Sequence, residues 1–139
     1  MKISDFLSPA DVLLDVRAKD KVSLLRELCA QVATRVGLNV DEVTAQIAKR
    51  EELGSTGLGN GVALPHARLK GLKAPVGVLA MLHHGIDFDA IDNQPVDIIL
   101  LLLLPDAANS DARLNALACA ARKLRDPGAL QQIRDAADA

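Results

Sequence analysis

The sequence is almost free of aromatic rings: 139 residues include no Trp, no Tyr and two Phe, Phe6 and Phe88. Single-stranded nucleic acids are held by stacking bases on rings, and cationic ligands by aromatic cages. Neither has material here. A basic excess is also missing. Sixteen Lys and Arg face 18 Asp and Glu, for a net charge of −2, whereas a chain that tracks a phosphate backbone is rich in cations. No nucleic-acid partner is therefore expected. Long apolar runs are absent as well. The longest, Ile98–Leu104, has seven residues, against about 20 for a bilayer span, so no membrane insertion is expected. The first residues carry no signal-peptide pattern. Cysteine is scarce. Cys29 and Cys119 lie 90 positions apart, match no metal-ligand spacing and sit among apolar helical residues. They read as small buried hydrophobes of a reducing compartment, which places the protein in the cytoplasm.

What is present is aliphatic. Leu (23) and Ala (22) dominate a composition that is 50% hydrophobic and 24% charged, which excludes disorder. The length suits one domain, residues 1–139, burying roughly two-thirds of its unfolded surface. Val12–Val16 reads as a strand. Leu25, Leu28, Cys29, Val32 and Val36 step along one helical face from Lys21 to Val36, and Gly37 is a stop. Asn39 caps a second helix, with Glu42 completing a capping box, and this helix ends near Leu53. Four glycines between Gly54 and Gly61 predict an irregular loop. Val62–Leu64 reads as a short strand stopped by Pro65, Pro75–Leu82 as another, and Val96–Leu104 as a central strand, apolar on both faces. Phe88–Pro95 reads as a turn-rich connection. Ser110 or Asn109 is expected to cap a helix bearing Leu114, Leu117, Ala121 and Leu124, and Asp126-Pro127 opens a last helix. The order predicts an α/β fold: a single layered domain with a mixed β-sheet flanked by helices on both faces.

His66 carries the chemistry. Pro65 fixes its own φ and holds Leu64 extended, so the imidazole sits at a strand end with a rigid approach. The glycine loop offers backbone amides, which form anion-binding concavities when consecutive. Ser55, Thr56 and Asn60 add donors, and Arg50 supplies a fork for phosphate. A nucleophilic imidazole beside an oxyanion cradle suits phosphoryl transfer; a histidine that caps a strand for structural reasons is the alternative. The loop lacks the Lys-Ser/Thr of a Walker A motif, and Gly57, Gly59 and Gly61 have the wrong spacing for a dinucleotide fingerprint. A metal site would have to combine His66 with His83 or His84 through unrelated carboxylates, so no metal is expected. His83-His84 reads as a solvated strand end, and Asp87, Asp89, Asp92 and Asp97 as turn-forming acids or an acidic rim for a basic partner. Arg68, Lys70 and Lys73 read as a solvated edge, or as contacts to a partner's phosphate.

The segment Arg50–His66 (REELGSTGLGNGVALPH) closely resembles the active-site segment of phosphotransferase-system IIA proteins of the fructose/mannitol type. Phe88–Asp97 (FDAIDNQPVD) resembles the nitrogen-regulatory branch of that family, the IIA-Ntr proteins, and the likeness runs from about Ile3 to Arg134. The resemblance implies a mixed sheet with helices on both faces and a phosphoryl carrier that needs no cofactor. His66 would accept the phosphoryl group through Nε2 from an HPr-like phosphocarrier, itself charged by enzyme I from phosphoenolpyruvate. Arg50 corresponds to the family's active-site arginine. Ser55, Thr56, Gly57, Gly59, Asn60 and Gly61 would receive the phosphoryl oxygens. The branch regulates protein targets such as potassium-transport proteins and sensor kinases, without small-molecule turnover of its own. One position departs. The family commonly has a second active-site histidine where this chain has Arg113, which can hold phosphate but cannot accept a proton. The rival readings are a sugar-specific IIA component that feeds a permease, and a binding module without phosphoryl chemistry.

Overall fold

The computed structural model describes residues 5–7, 9–90, 92–106 and 111–138. The elements in chain order are β1 (Val12–Val16), α1 (Lys21–Val36), α2 (Val40–Glu52), β2 (Gly57–Gly59), β3 (Val62–Ala63), β4 (His66–Leu69), β5 (Val76–Ile86), β6 (Val96–Pro105), α3 (Asp111–Arg125) and α4 (Pro127–Asp138). The helix ends follow their local signals. The Asp20 side chain accepts from the Ser23 amide at 2.8 Å and that of Asn39 from the Glu42 amide at 3.0 Å, each satisfying a donor the first helical turn leaves free. Gly37 takes the left-handed conformation, φ 73°, that closes α1, a backbone state glycine reaches without a steric penalty. At the other end of the chain, Asp126 accepts from the Gly128 amide at 3.0 Å and Pro127 opens α4. The cap expected at Asn109 or Ser110 lies outside the described residues.

All six strands form one mixed sheet in which β6 is central. It pairs antiparallel with β5 along one edge and parallel with β3 and then β4 along the other. β1 runs parallel to β5 on the outside. The side chains of β6 alternate between two cores, as a pleated strand requires. Ile99, Leu101 and Leu103 pack with α1 and α2; Ile98, Leu100, Leu102 and Leu104 pack with α3 and α4. The expected layered α/β architecture and the doubly covered central strand are both borne out.

The strands differ from the sequence reading in three places. The glycine-rich stretch is not irregular throughout: Gly57–Gly59 forms β2, antiparallel to β3. This is possible because the turn residues Asn60 (φ 57°) and Gly61 (φ 81°) take positive φ, and because Gly57 lies against Ala90, where a Cβ would come within 2.8 Å. His66 does not follow the last strand residue. It starts a further strand, β4, since the chain resumes pairing with β6 once past Pro65. β5 runs on to Ile86, with a register shift against β6 between Met81 and Ile86 that takes in the exposed His83 and His84.

Candidate functional site

β4 is an edge strand in register with the far end of β6, His66 opposite Leu102 and Arg68 opposite Leu104. Ala67 and Leu69 turn inward to the α1/α2 core. His66 and Arg68 therefore share the other face, two residues apart on one strand. The second half of α2 reaches over the open edge. Together with β6 and α3, these elements border a cleft of about 480 Å³ lined by Gln46, Lys49, Arg50, Leu53, His66, Ala67, Arg68, Leu104, Asp106 and Leu117. Three cations and one carboxylate are among those side chains, so the lining carries a net positive charge.

The half-buried His66 ring has a defined tautomer. Its Nδ1 lies 2.9 Å from the Leu64 carbonyl oxygen. A carbonyl only accepts, so Nδ1 carries the proton and the lone pair stays on Nε2. Burial holds the pKa of His66 below its ordinary 6.5; the Leu64 carbonyl pulls it upward, the Arg50 charge pushes it down and Glu51 raises it. The ring is neutral at pH 7, with a nucleophilic nitrogen. Arg50 donates through Nη1 to the Gly54 carbonyl at 2.9 Å. This contact fixes one end of a guanidinium that has further donors to offer.

The structure does not bring the loop amides around the ring. The Gly57 amide donates to Ser55 Oγ at 3.1 Å, and the Asn60 amide to Asp92 at 3.0 Å. Ser55 Oγ donates to the Phe88 carbonyl at 2.7 Å. Thr56 is buried, with its amide 3.3 Å from Glu51 Oε2 and its hydroxyl donating to Glu51 Oε1. β3 meets β6 at Ile98 and β4 meets it at Leu102, so the Gly59–Gly61 turn sits about 13 Å along the strand from His66. Asn60 and Gly61 line a separate hollow with Asp92 and Asp97. Ser55, Thr56 and Gly57 thus hold the backbone behind the histidine, and Gly59, Asn60 and Gly61 lie away from it. Arg113 belongs to α3, and its side chain is outside the described residues.

The sequence reading assigns no place in the site to Gln46, Lys49, Leu53, Asp106 and Leu117. Gln46, Lys49, Arg50 and Leu53 recur at helical spacing, a signal for one shared face, but only the topology shows that this face overhangs His66. Arg68, read as a solvated edge or a phosphate contact, lines the cleft. Lys21 was overlooked too. Behind the cleft its Nζ pairs with Glu51 at 2.8 Å and lies 4.4 Å from the centre of the Phe88 ring, a cation–π arrangement. Among the described residues, no group of three or more His, Cys, Asp or Glu is placed to hold a metal ion, and no helix is long and apolar enough to cross a membrane.

The family model for the phosphoenolpyruvate-dependent sugar phosphotransferase system, EIIA 2, matches residues 5–139. The chain belongs to that family. The likeness to the nitrogen-regulatory branch is borne out as well. A nitrogen regulatory protein of Bradyrhizobium diazoefficiens is 40% identical over 139 residues, covering 100% of this chain and 90% of its own. One from Escherichia coli is 36% identical over 138 residues, with 98% and 83% covered. Among solved structures, the nitrogen regulatory protein IIA-Ntr of Neisseria meningitidis superposes with a TM-score of 0.85 at 32% identity, covering 97% of this chain and 89% of that one. The mannitol IIA of Escherichia coli, at 21% identity and a TM-score of 0.68 over 88% of this chain and 85% of its own, shares the fold.

Proposed function

We propose that this IIA-family protein is a phosphoryl carrier that works as a regulator. Nε2 of the neutral His66 attacks the phosphorus of a phosphohistidine on an HPr-like carrier, which enzyme I charges from phosphoenolpyruvate. The new P–N bond forms as the old one breaks, and the electron pair returns to the donor's ring. The donor is already activated, so the acceptor site needs mainly orientation and positive charge. Lys49, Arg50 and Arg68 supply the charge, with Arg50 as the fork. The observation that carries this reading is the Leu64 carbonyl, which accepts a hydrogen bond from Nδ1–H and so leaves the lone pair on Nε2 inside the cationic cleft.

Phosphorylation adds about −1.5 to −2 charges at the cleft. A protein target that contacts this rim meets a different surface in the two states. Potassium-transport proteins and sensor kinases are the expected targets. The full-length likeness to nitrogen regulatory proteins favours regulation over feeding a sugar permease. The test is incubation with enzyme I, its HPr-like partner and phosphoenolpyruvate. We expect a mass gain of one phosphate, labile in acid and absent from His66→Ala. A label that persists in His66→Ala excludes this acceptor. Its failure to appear in the wild-type protein leaves a binding module.

A further inference from the structure

We infer that Glu51 is a positioning residue for His66, acting through Thr56 and Leu64 to decide which imidazole nitrogen carries the proton. An unbroken series of contacts joins them. Lys21 Nζ donates to Glu51 Oε2 at 2.8 Å. The two carboxylate oxygens of Glu51 accept from the amide and the hydroxyl of Thr56. The Thr56 carbonyl accepts from the Leu64 amide at 3.0 Å, and the Leu64 carbonyl accepts from His66 Nδ1 at 2.9 Å.

Pairing of β3 with β6 ends at Ala63, and pairing of β4 begins at His66. Gly57 pairs with Ala63 across β2 and β3, so the Leu64 amide, one residue on, faces Thr56 and not β6, while the Pro65 carbonyl accepts from the Leu102 amide at 2.9 Å. Thr56 in turn depends on Glu51. The Glu51 carboxylate offers a separate oxygen to each of the two Thr56 donors. The Glu51 and Lys21 side chains are 7% and 17% exposed. An apolar pair could join α1 to α2 at lower desolvation cost, but it would leave both Thr56 donors without partners. Lys21 also lies within 3.4 Å of the Phe88 carbonyl, which Ser55 shares, so the same cation braces the loop on both sides of Thr56.

The consequence for the ring is specific. A histidine without a partner at Nδ1 favours the proton on Nε2. If the Leu64 carbonyl drifts, that tautomer gains population and the acceptor nitrogen loses its lone pair. The inference rests on the proposed phosphoryl acceptance for its kinetic effect, but the tautomer can be read without any phosphate.

The experiment measures ring ¹⁵N shifts of histidine-labelled protein at a pH where His66 is neutral, alongside the rate of phosphoryl transfer from the charged HPr-like carrier. The variants are Glu51→Gln, Thr56→Val and Thr56→Ser, each checked for a dispersed amide spectrum. Wild type and Thr56→Ser, which keeps the hydroxyl, should show the Nδ1–H tautomer. Glu51→Gln and Thr56→Val should show a mixture and transfer more slowly, by about tenfold, within the range expected for a misoriented reacting group. If Glu51→Gln does not fold, the Thr56 pair decides. Folded variants that keep the wild-type ring shifts overturn the inference, as does a shifted tautomer with an unchanged rate. A wild-type protein that takes no phosphate defeats the carrier role, while the ring shifts still judge this one.

Discussion

At the scale of single residues, the His66 imidazole is tuned to stay neutral. Burial lowers its pKa below 6.5 more than the Leu64 carbonyl and Glu51 raise it. The proton is thus held less tightly in the folded chain than in the unfolded one. The stability this group contributes is complete above pH 6.5 and is lost as the pH falls through the lowered folded value. The same titration governs nucleophilicity, since the protonated ring has no lone pair. Phosphoryl acceptance should be flat at and above neutral pH and decline on acidification with a midpoint below 6.5, and an NMR titration of the His66 ring protons should show the same midpoint. His66 and Arg50 were legible in the sequence because a proline before one and a helix end at the other restrict where they point. Lys49, Leu53 and Asp106 were not. Each looks like an ordinary surface or loop residue until α2, β4 and β6 are set side by side.

At the scale of elements, the helices were the easily read part. α1 and α2 announce themselves by a 3.6-residue apolar stripe between a capping side chain and a stop, so both their existence and their ends follow from local rules. β2 and β4 do not, being only three and four residues long. A strand so short has no measurable period; it exists because a neighbour offers it a ladder, and for β4 that neighbour, β6, lies far away in sequence. The close approach of β2 to the Phe88–Ala90 segment gives a test. In Gly57→Ala the new methyl would meet Ala90 Cα and Cβ at 2.8 Å, contacts that backbone and a rigid side chain cannot relieve cheaply. We expect a loss of about 1–3 kcal/mol in denaturant unfolding. The shifted β2 should also disturb the Thr56–Glu51 contacts, seen as amide shift changes at Leu64 and His66.

At the scale of the whole molecule, β6 is the common wall of two cores. Its residues Ile98 through Leu103 are 0% exposed, and their scarcity of rings leaves branched aliphatics to fill both sides. Leu100→Ala should cost about 2–5 kcal/mol, the range for a fully buried leucine cut back to its Cβ, with urea unfolding remaining a single transition. The strand carries His66 against one end, through Leu102, and the acidic Asn60–Asp97 hollow against the other. Any shift of β6 along its axis would dislodge leucines from both cores together, and close-packed interiors resist such motion. β6 therefore behaves as a stiff spacer rather than a lever. Its amides should be among the slowest to exchange with solvent, and adding a phosphoryl group at His66 should leave their exchange rates unchanged. News of the modification then travels no farther than its own electric field, roughly a Debye length of about 8 Å at physiological salt. On the proposed function, a target must touch the His66 rim to learn the state of the protein, whereas a ligand on the opposite rim stays bound through both.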